Sequence, residues 1–126
     1  MKAPLLEQHE IKLVKDFVLL PVLLDVLQRD LQAIQTVRIR LAPLFARMLR
    51  ETQPLVFREL AAVKQELRVR GIRVYEQRRT PQRLEVKYKC RGYDHRLHLL
   101  WGIVRAELLE KMEYYLSRND KDGKGS

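Results

Sequence analysis

One cysteine and two histidines lie close together in the sequence and have the side chains that bind zinc. Cys90, His95 and His98 are near neighbours, with Asp94 beside them. Structural zinc sites use four ligands at recurring spacings, usually with more than one cysteine. This chain has no second cysteine. The sequence therefore favours a small buried thiol and two surface histidines, and a zinc site at these residues is the less favoured alternative.

Side chains arranged for catalysis are scarce. The chain contains no glycine-rich phosphate loop, no G-x-S-x-G nucleophile turn and no H-E-x-x-H metal motif. A nucleophile pair of Cys90 and His95 lacks an evident third residue to orient it. We therefore expect a protein without enzymatic activity and without a cofactor.

A different chemistry is indicated by the basic segment between residues 71 and 91. It contains seven basic and two acidic side chains, a net charge of +5. The whole chain carries 25 Lys and Arg against 16 Asp and Glu, a net charge of +9. Such an excess favours an anionic partner, and clustered Lys and Arg side chains are typical of surfaces that bind the phosphates of nucleic acid.

The residues of this segment alternate as they do in a β-hairpin, with a turn at Thr80-Pro81-Gln82. One face is apolar, with Ile72, Val74, Leu84, Val86, Tyr88 and Cys90. The opposite face then carries the candidate DNA- or RNA-binding residues, which are Arg73, Tyr75, Arg83, Lys87, Lys89 and Arg91, with Arg78 and Arg79 near the turn of the hairpin. The sequence predicts that nucleic acid binds this face through its phosphates.

Three alternatives to the hairpin surface stay open. In the first alternative, nucleic acid binds a helix through Arg58, Lys64 and Arg68. In the second, the chain is an interaction or scaffold protein whose basic face binds an acidic protein or an anionic membrane surface. In the third, the Lys and Arg side chains bind no partner. They only keep an exposed strand soluble and prevent strand edges of different molecules from pairing.

Apolar residues at helical spacing predict the elements that come before the hairpin. Between residues 6 and 70 they indicate three to four helical segments. Pro21 would divide the first of these or kink it, and Thr52 would cap a helix that Pro54 opens. Gly71 would end that helix in the left-handed conformation.

The predicted fold is mainly α, with one antiparallel β-hairpin at about residues 72–90. Asp94 would then cap a long C-terminal helix at about residues 95–117. We expect residues 1–118 to form a single helical domain with the hairpin inserted in it. The polar, glycine-bearing residues 119–126 are expected to be a disordered tail.

The predicted C-terminal helix is apolar over a wide arc of its surface. Its large apolar residues include Leu99, Leu100, Trp101, Ile103, Val104, Leu108 and Leu109. A helix of this kind needs neighbours on more than one side. We therefore predict a homodimer, formed through this helix or through an edge of the hairpin. The alternative is that a single compact core already covers this surface.

Two stretches resemble a group of small uncharacterised basic proteins from Bacillus-type spore-forming bacteria. They are FVLLPVLLDVLQRD, residues 17–30, and YKCRGYDHRLHLLWGIVRAELLEKMEYYL, residues 88–116, and together they cover about a third of the chain. The resemblance implies a bacterial protein of the cytoplasm or spore compartment, and it implies no activity.

The residues themselves agree with that location. A single cysteine allows no internal disulfide, which favours a reducing interior such as the cytoplasm. The most apolar stretch, residues 17–27, contains a proline and an aspartate and is too short to span a bilayer. No signal peptide is evident at the N-terminus, so we expect neither export nor a transmembrane segment.

Overall fold

Two long helices are followed by a three-stranded sheet and a third helix. The computed structural model describes residues 8–124, and it describes side chains from residue 8 to residue 118. The elements in chain order are α1 (Gln8–Ile34), α2 (Ala42–Val69), β1 (Ile72–Arg79), β2 (Arg83–Cys90), β3 (Tyr93–Leu100) and α3 (Trp101–Lys124). The strands are antiparallel, in the order β1-β2-β3. The sheet packs one face against the helices, and its other face is open.

The prediction of three to four N-terminal helical segments is wrong, because both long helices continue through a proline. Pro21 lies inside α1 and Pro54 lies inside α2. Each proline removes one backbone hydrogen bond from its helix. Around Pro21 that loss is offset by burial, since the neighbouring Leu19 and Leu20 are 0% exposed. The apolar packing of a continuous helix therefore outweighs the local cost of the proline.

Thr52 does not cap a helix as predicted. It lies within α2, and its hydroxyl donates a hydrogen bond to the carbonyl of Met48 at 2.8 Å. A threonine inside a helix often satisfies its hydroxyl in this way, on the preceding turn. Because Thr52 is also 0% exposed, its hydroxyl needs a hydrogen-bond partner inside the protein, and the carbonyl of Met48 provides it.

The prediction of a helix from residue 95 is also wrong, because the chain first forms a third strand. β3 pairs with β2 along its whole length, from Tyr93 opposite Cys90 to Leu100 opposite Arg83. Two residues join these strands, Arg91 at φ 49° and Gly92 at φ 88°. Positive φ at both positions is the geometry of a type I′ turn, whose twist matches that of paired strands.

The fold is consequently a helix-rich α+β arrangement and not a helical protein with a single hairpin. Asp94 lies in β3 and caps no helix, and α3 starts later than predicted, at Trp101. The indole Nε1 of Trp101 donates to the carbonyl of Thr80 at 2.7 Å, which fastens the β1–β2 turn to the start of α3. α3 continues to Lys124 and so includes part of residues 119–126, the predicted disordered tail. No side chain of that tail is described, and its disorder stays a prediction.

The inner face of the sheet is part of the hydrophobic core. On β2 the alternate residues Leu84, Val86, Tyr88 and Cys90 are at most 2% exposed. They join one cluster with buried side chains of all three helices, among them Val14 and Val56, which are 0% exposed. Since residues alternate along a strand, burial of this set turns the intervening basic residues of β2 to the opposite side.

Candidate nucleic-acid interface

The outer face of the sheet, which points away from the helices, carries polar side chains from all three strands. Its charged members are Arg73, Glu76 and Arg78 on β1, Arg83, Glu85, Lys87 and Lys89 on β2, and Asp94 and Arg96 on β3. Six of these are basic and three are acidic, so the outer face has a net charge of +3. The central strand β2 is paired on both sides, which makes this surface a continuous sheet and not a two-stranded ribbon.

A β-bulge in β1 changes which of its side chains reach the outer face. The register shifts between Val74 and Glu76, so that Tyr75 has no partner residue on β2. Beyond the bulge, Arg78, which was predicted near the turn of the hairpin, lies opposite Glu85 on the outer face. Arg79 lies opposite the buried Leu84 and therefore belongs to the helix-facing side, although its side chain is exposed.

Tyr75 reaches across the central strand to β3. Its hydroxyl donates a hydrogen bond to Oδ1 of Asp94 at 3.1 Å, and the residue is 45% exposed. Partial burial and the neighbouring Asp94 carboxylate raise the pKa of Tyr75. The phenol is therefore a neutral hydrogen-bond donor at physiological pH, and its exposed ring lies beside the basic residues.

Some basic side chains of the outer face form ion pairs with carboxylates of the same sheet. Lys87 pairs with Glu76 at 3.1 Å, and the guanidinium of Arg83 binds Glu85 at 2.9 Å. Arg78 lies 3.6 Å from the same Glu85. Arg83 holds the pKa of the Glu85 carboxyl below its ordinary value, so this carboxylate remains charged at neutral pH. These basic groups are partly neutralised before any ligand arrives.

Three exposed basic residues lie outside those pairs, one on each strand. They are Arg73 on β1, Lys89 on β2 and Arg96 on β3, and within the described part of the chain none of them forms an ion pair. Arg73 lies directly opposite Lys89 in the register. Like charges opposite each other destabilise a sheet. An anion bound between these two side chains would remove that repulsion.

Arg96 was missed by the sequence prediction, which placed it in a helix. In β3 it lies opposite Lys87, on the outer face. A signal for the strand is present in the alternation of polar and apolar residues from Arg96 to Leu99. That alternation is short, and the leucines that follow also fit a helical period. The pattern alone therefore did not distinguish a strand from a helix.

Arg91 was predicted on the DNA- or RNA-binding face, but its side chain is held elsewhere. Its Nη1 and Nη2 bind the two carboxylate oxygens of Glu10 at 2.9 and 3.1 Å. Nη1 also donates to the carbonyl of Arg70 at 3.2 Å. Glu10 is only 2% exposed and lies 3.5 Å from the guanidinium of Arg70. Arg91 therefore connects the β2–β3 turn to the start of α1 and to the end of α2.

The alternative helical surface spreads over about a third of the circumference of α2. Arg58, Lys64 and Arg68 are all exposed on α2. Lys64 and Arg68 are four residues apart and lie on one side of the helix. Arg58 precedes Lys64 by six residues, which rotates it about 120° away at about 100° per residue. These three residues thus present a less concentrated charge than the outer face of the sheet.

The residues considered for zinc are divided by the sheet. Cys90 lies on the helix-facing side, and His95 on that same side stacks on Tyr88 with ring centroids 5.4 Å apart. His98 lies opposite Glu85, on the outer face. In residues 8–124, no group of three or more His, Cys, Asp or Glu residues is arranged to hold a metal ion.

The Cys90 thiol should react slowly in the folded protein. It is 1% exposed, and burial raises its pKa, so less thiolate is present at pH 8 than in a free thiol. We expect its reaction with a chromogenic disulfide reagent to be roughly a hundredfold slower than in urea-unfolded protein, because reaction requires local opening. Equal rates in the two states would contradict the position of Cys90 on the inner face.

A charged cleft between the three helices is the other polar candidate. It has a volume of about 630 Å³, and its ionic residues are Lys12, Lys15, Asp16, Glu59, Glu107, Glu110 and Lys111. Asp16 binds Lys12 at 3.0 Å and also binds Lys111, while Lys15 binds Glu107. The cleft holds three lysines against four carboxylates and pairs each lysine internally. It therefore does not favour a polyanion.

Comparisons with known proteins place the chain in a family without indicating a chemistry. The model of the YhjD protein family matches residues 5–120. A protein of Bacillus subtilis (strain 168), described as uncharacterized protein YhjD, is 24% identical over 118 residues, which cover 94% of this chain and 98% of the relative. No solved structure gives a significant match.

Proposed function

This chain belongs to the YhjD protein family, and from that premise we propose that it is a non-enzymatic protein that binds nucleic acid through the outer face of its sheet. The two matches confirm the expected likeness to an uncharacterised group from Bacillus-type bacteria. Neither the family nor the relative has a named activity, so the proposal rests on the geometry of the sheet.

The observation that carries the proposal is the exposed pair of like charges formed by Arg73 and Lys89. They are partners across β1 and β2, while Asp94, the partner of Lys89 on β3, accepts the hydrogen bond from Tyr75. Arg96 adds a third exposed basic side chain on β3. A phosphate group placed over β2 would neutralise these charges, which is how positively charged surfaces gain affinity for nucleic acid.

The sheet favours contact by its face over insertion of a hairpin into a groove. Three strands spaced about 4.8 Å apart span about 10 Å before their side chains are added. A major groove about 12 Å wide admits a helix or a two-stranded ribbon. Because β1 and β3 both flank β2, and helices cover the inner side, the outer face meets the phosphate backbone. We propose binding with little sequence preference, since phosphate contacts carry no base information.

The experiment that tests this proposal is a binding titration on the unmodified protein. Fluorescently labelled single-stranded DNA, single-stranded RNA and duplex DNA of equal length are titrated at about 50 mM salt, and anisotropy is recorded. We expect dissociation constants of about 1 μM or tighter for at least one of them. Polyglutamate of similar charge is the control for an acidic protein partner. Absence of nucleic-acid binding, or equally tight binding of polyglutamate, would overturn the proposal.

Two further properties stay proposals. Homodimerisation through α3 is compatible with the exposure of Ile103 and Leu109, which are 49% and 61% exposed. The free sheet edges are β1 and β3, because β2 is paired on both sides. A cytoplasmic or spore location is proposed from the Bacillus relative and the single cysteine.

A further inference from the structure

The connection between α1 and α2 has an unusual composition. From residue 31 to residue 50 the chain contains four arginines, Arg38, Arg40, Arg47 and Arg50, and no acidic residue. We call residues 36–47 the tip. The arginines at 38 and 40 alternate with apolar residues, so basic and apolar side chains are interleaved within a few residues of each other.

Large apolar side chains of the tip are exposed to solvent. Val37 and Ile39 are each 46% exposed, Leu41 is 57%, Leu44 is 40% and Phe45 is 39% exposed. None of the five belongs to the hydrophobic core or packs against it. Soluble proteins seldom expose several large apolar residues together, and such patches mark interaction surfaces.

The tip lies at one end of the packed pair of helices α1 and α2, where the chain turns from one helix into the other. Leu27 of α1 lines a groove with Trp101 and with Leu49, which follows the tip by two residues. From Leu27 to the end of α1 at Ile34 the helix continues for seven residues, which is about 10 Å. The turn at the end of this helix pair can therefore present its exposed apolar side chains to a flat surface.

We propose that the tip binds the surface of an anionic lipid bilayer. Its apolar side chains would enter the boundary between headgroups and acyl chains, about 5–10 Å deep, while its arginines bind lipid phosphates. This is a second, independent surface, separate from the outer face of the sheet. No helix in residues 8–124 is both long and apolar enough to cross a bilayer, so the tip would bind from one side.

The chemistry of the tip favours lipid over other partners. A second copy of the tip would bring three further arginines against the first three, and like charges repel. Nucleic acid would satisfy the arginines and leave the apolar residues in water. An anionic bilayer satisfies both kinds of side chain at once. A protein with an acidic rim and an apolar groove would do the same, and the experiment separates this partner from lipid.

Vesicle co-sedimentation of the unmodified protein tests this inference. The vesicles contain either phosphatidylcholine alone or phosphatidylcholine with phosphatidylglycerol. We expect binding to the anionic vesicles only. The double variant Ile39→Ser with Phe45→Ser should lower the partition coefficient at least about tenfold, because burial of apolar side chains drives interfacial insertion. The matched control is Phe57→Ser with Ile103→Ser, at positions 61% and 49% exposed away from the tip, which should bind like the unmodified protein.

A charge-changing pair of variants makes the test specific to the tip. Arg38→Gln with Arg40→Gln should weaken binding by about fivefold for each arginine. Arg58→Gln with Arg68→Gln changes the net charge equally and should have a smaller effect. Three results would overturn the inference: no binding to anionic vesicles, equal binding to neutral vesicles, or equal losses in the tip and control variants. The first of these would assign the tip to a protein partner.

Discussion

Arg91→Ala is expected to lower the free energy of unfolding by about 3 kcal/mol. Its guanidinium makes two hydrogen bonds to the carboxylate of Glu10, which is only 2% exposed. Removing one partner of a buried ion pair leaves the other charge in a poorly solvated site. The effect should fall at the lower end of the usual range, because the Arg91 side chain is 39% exposed and Arg70 stays near Glu10.

Urea unfolding followed by circular dichroism measures this effect, with two controls. Arg91→Gly also removes the ion pair, but it should cost about 1 kcal/mol less than Arg91→Ala, because φ at this position is 49° and glycine adopts positive φ without strain. Arg58→Ala removes an exposed arginine of α2 and should change stability by less than about 0.5 kcal/mol. A cost below 1 kcal/mol for Arg91→Ala would contradict a structural role for the Glu10 pair.

The second large effect is expected on nucleic-acid affinity. The sheet variant replaces Arg73, Lys89 and Arg96 by Gln. If each side chain neutralises one phosphate, the binding constant should fall on the order of a thousandfold near 50 mM salt, because three fewer counterions are released. Folding should be unchanged or slightly more stable, because the variant removes the like charges opposite each other in β1 and β2.

A helix variant with the same change in charge is the control for the sheet variant. It replaces Arg58, Lys64 and Arg68, all exposed on α2, by Gln. If the loss of affinity came only from lower net charge, both variants would lose equal affinity. The proposal predicts a much smaller loss in the helix variant. A larger loss in the helix variant would move the site to α2.

Local patterns of the sequence account for the inner face of the sheet. Leu84, Val86, Tyr88 and Cys90 alternate with charged residues, and this period-2 pattern correctly identified the buried side of β2. Burial of one side of a strand also determines that the other side is exposed. The placement of Lys87 and Lys89 on the outer face therefore followed from sequence alone.

The features that the sequence prediction missed depend on contacts distant in sequence or on backbone geometry. Arg91 and Glu10 are 81 residues apart, so no local pattern pairs them. The third strand was missed because a non-glycine residue at positive φ, Arg91, makes half of its turn. The bulge at Tyr75 likewise has no clear sequence signal, and it moved Arg79 off the outer face.

Continuation of α1 and α2 through their prolines has the same origin. Pro21 and Pro54 are local helix breakers, and their effect is overridden by tertiary packing of the surrounding leucines. Local rules therefore located the basic surface, while the set of residues that compose it required the three-dimensional structure. The structure adds Arg96 to the basic surface and removes Arg91 from it.

The salt dependence of nucleic-acid binding shows how many phosphates the outer face of the sheet contacts. The logarithm of the binding constant is plotted against the logarithm of salt concentration for the unmodified protein, the sheet variant and the helix variant. For duplex DNA we expect the slope of the sheet variant to be smaller in magnitude by about 2.7, which is three phosphate contacts at about 0.9 each. The helix variant should keep the slope of the unmodified protein. Equal slopes for the unmodified protein and the sheet variant would contradict the claim that Arg73, Lys89 and Arg96 bind phosphates.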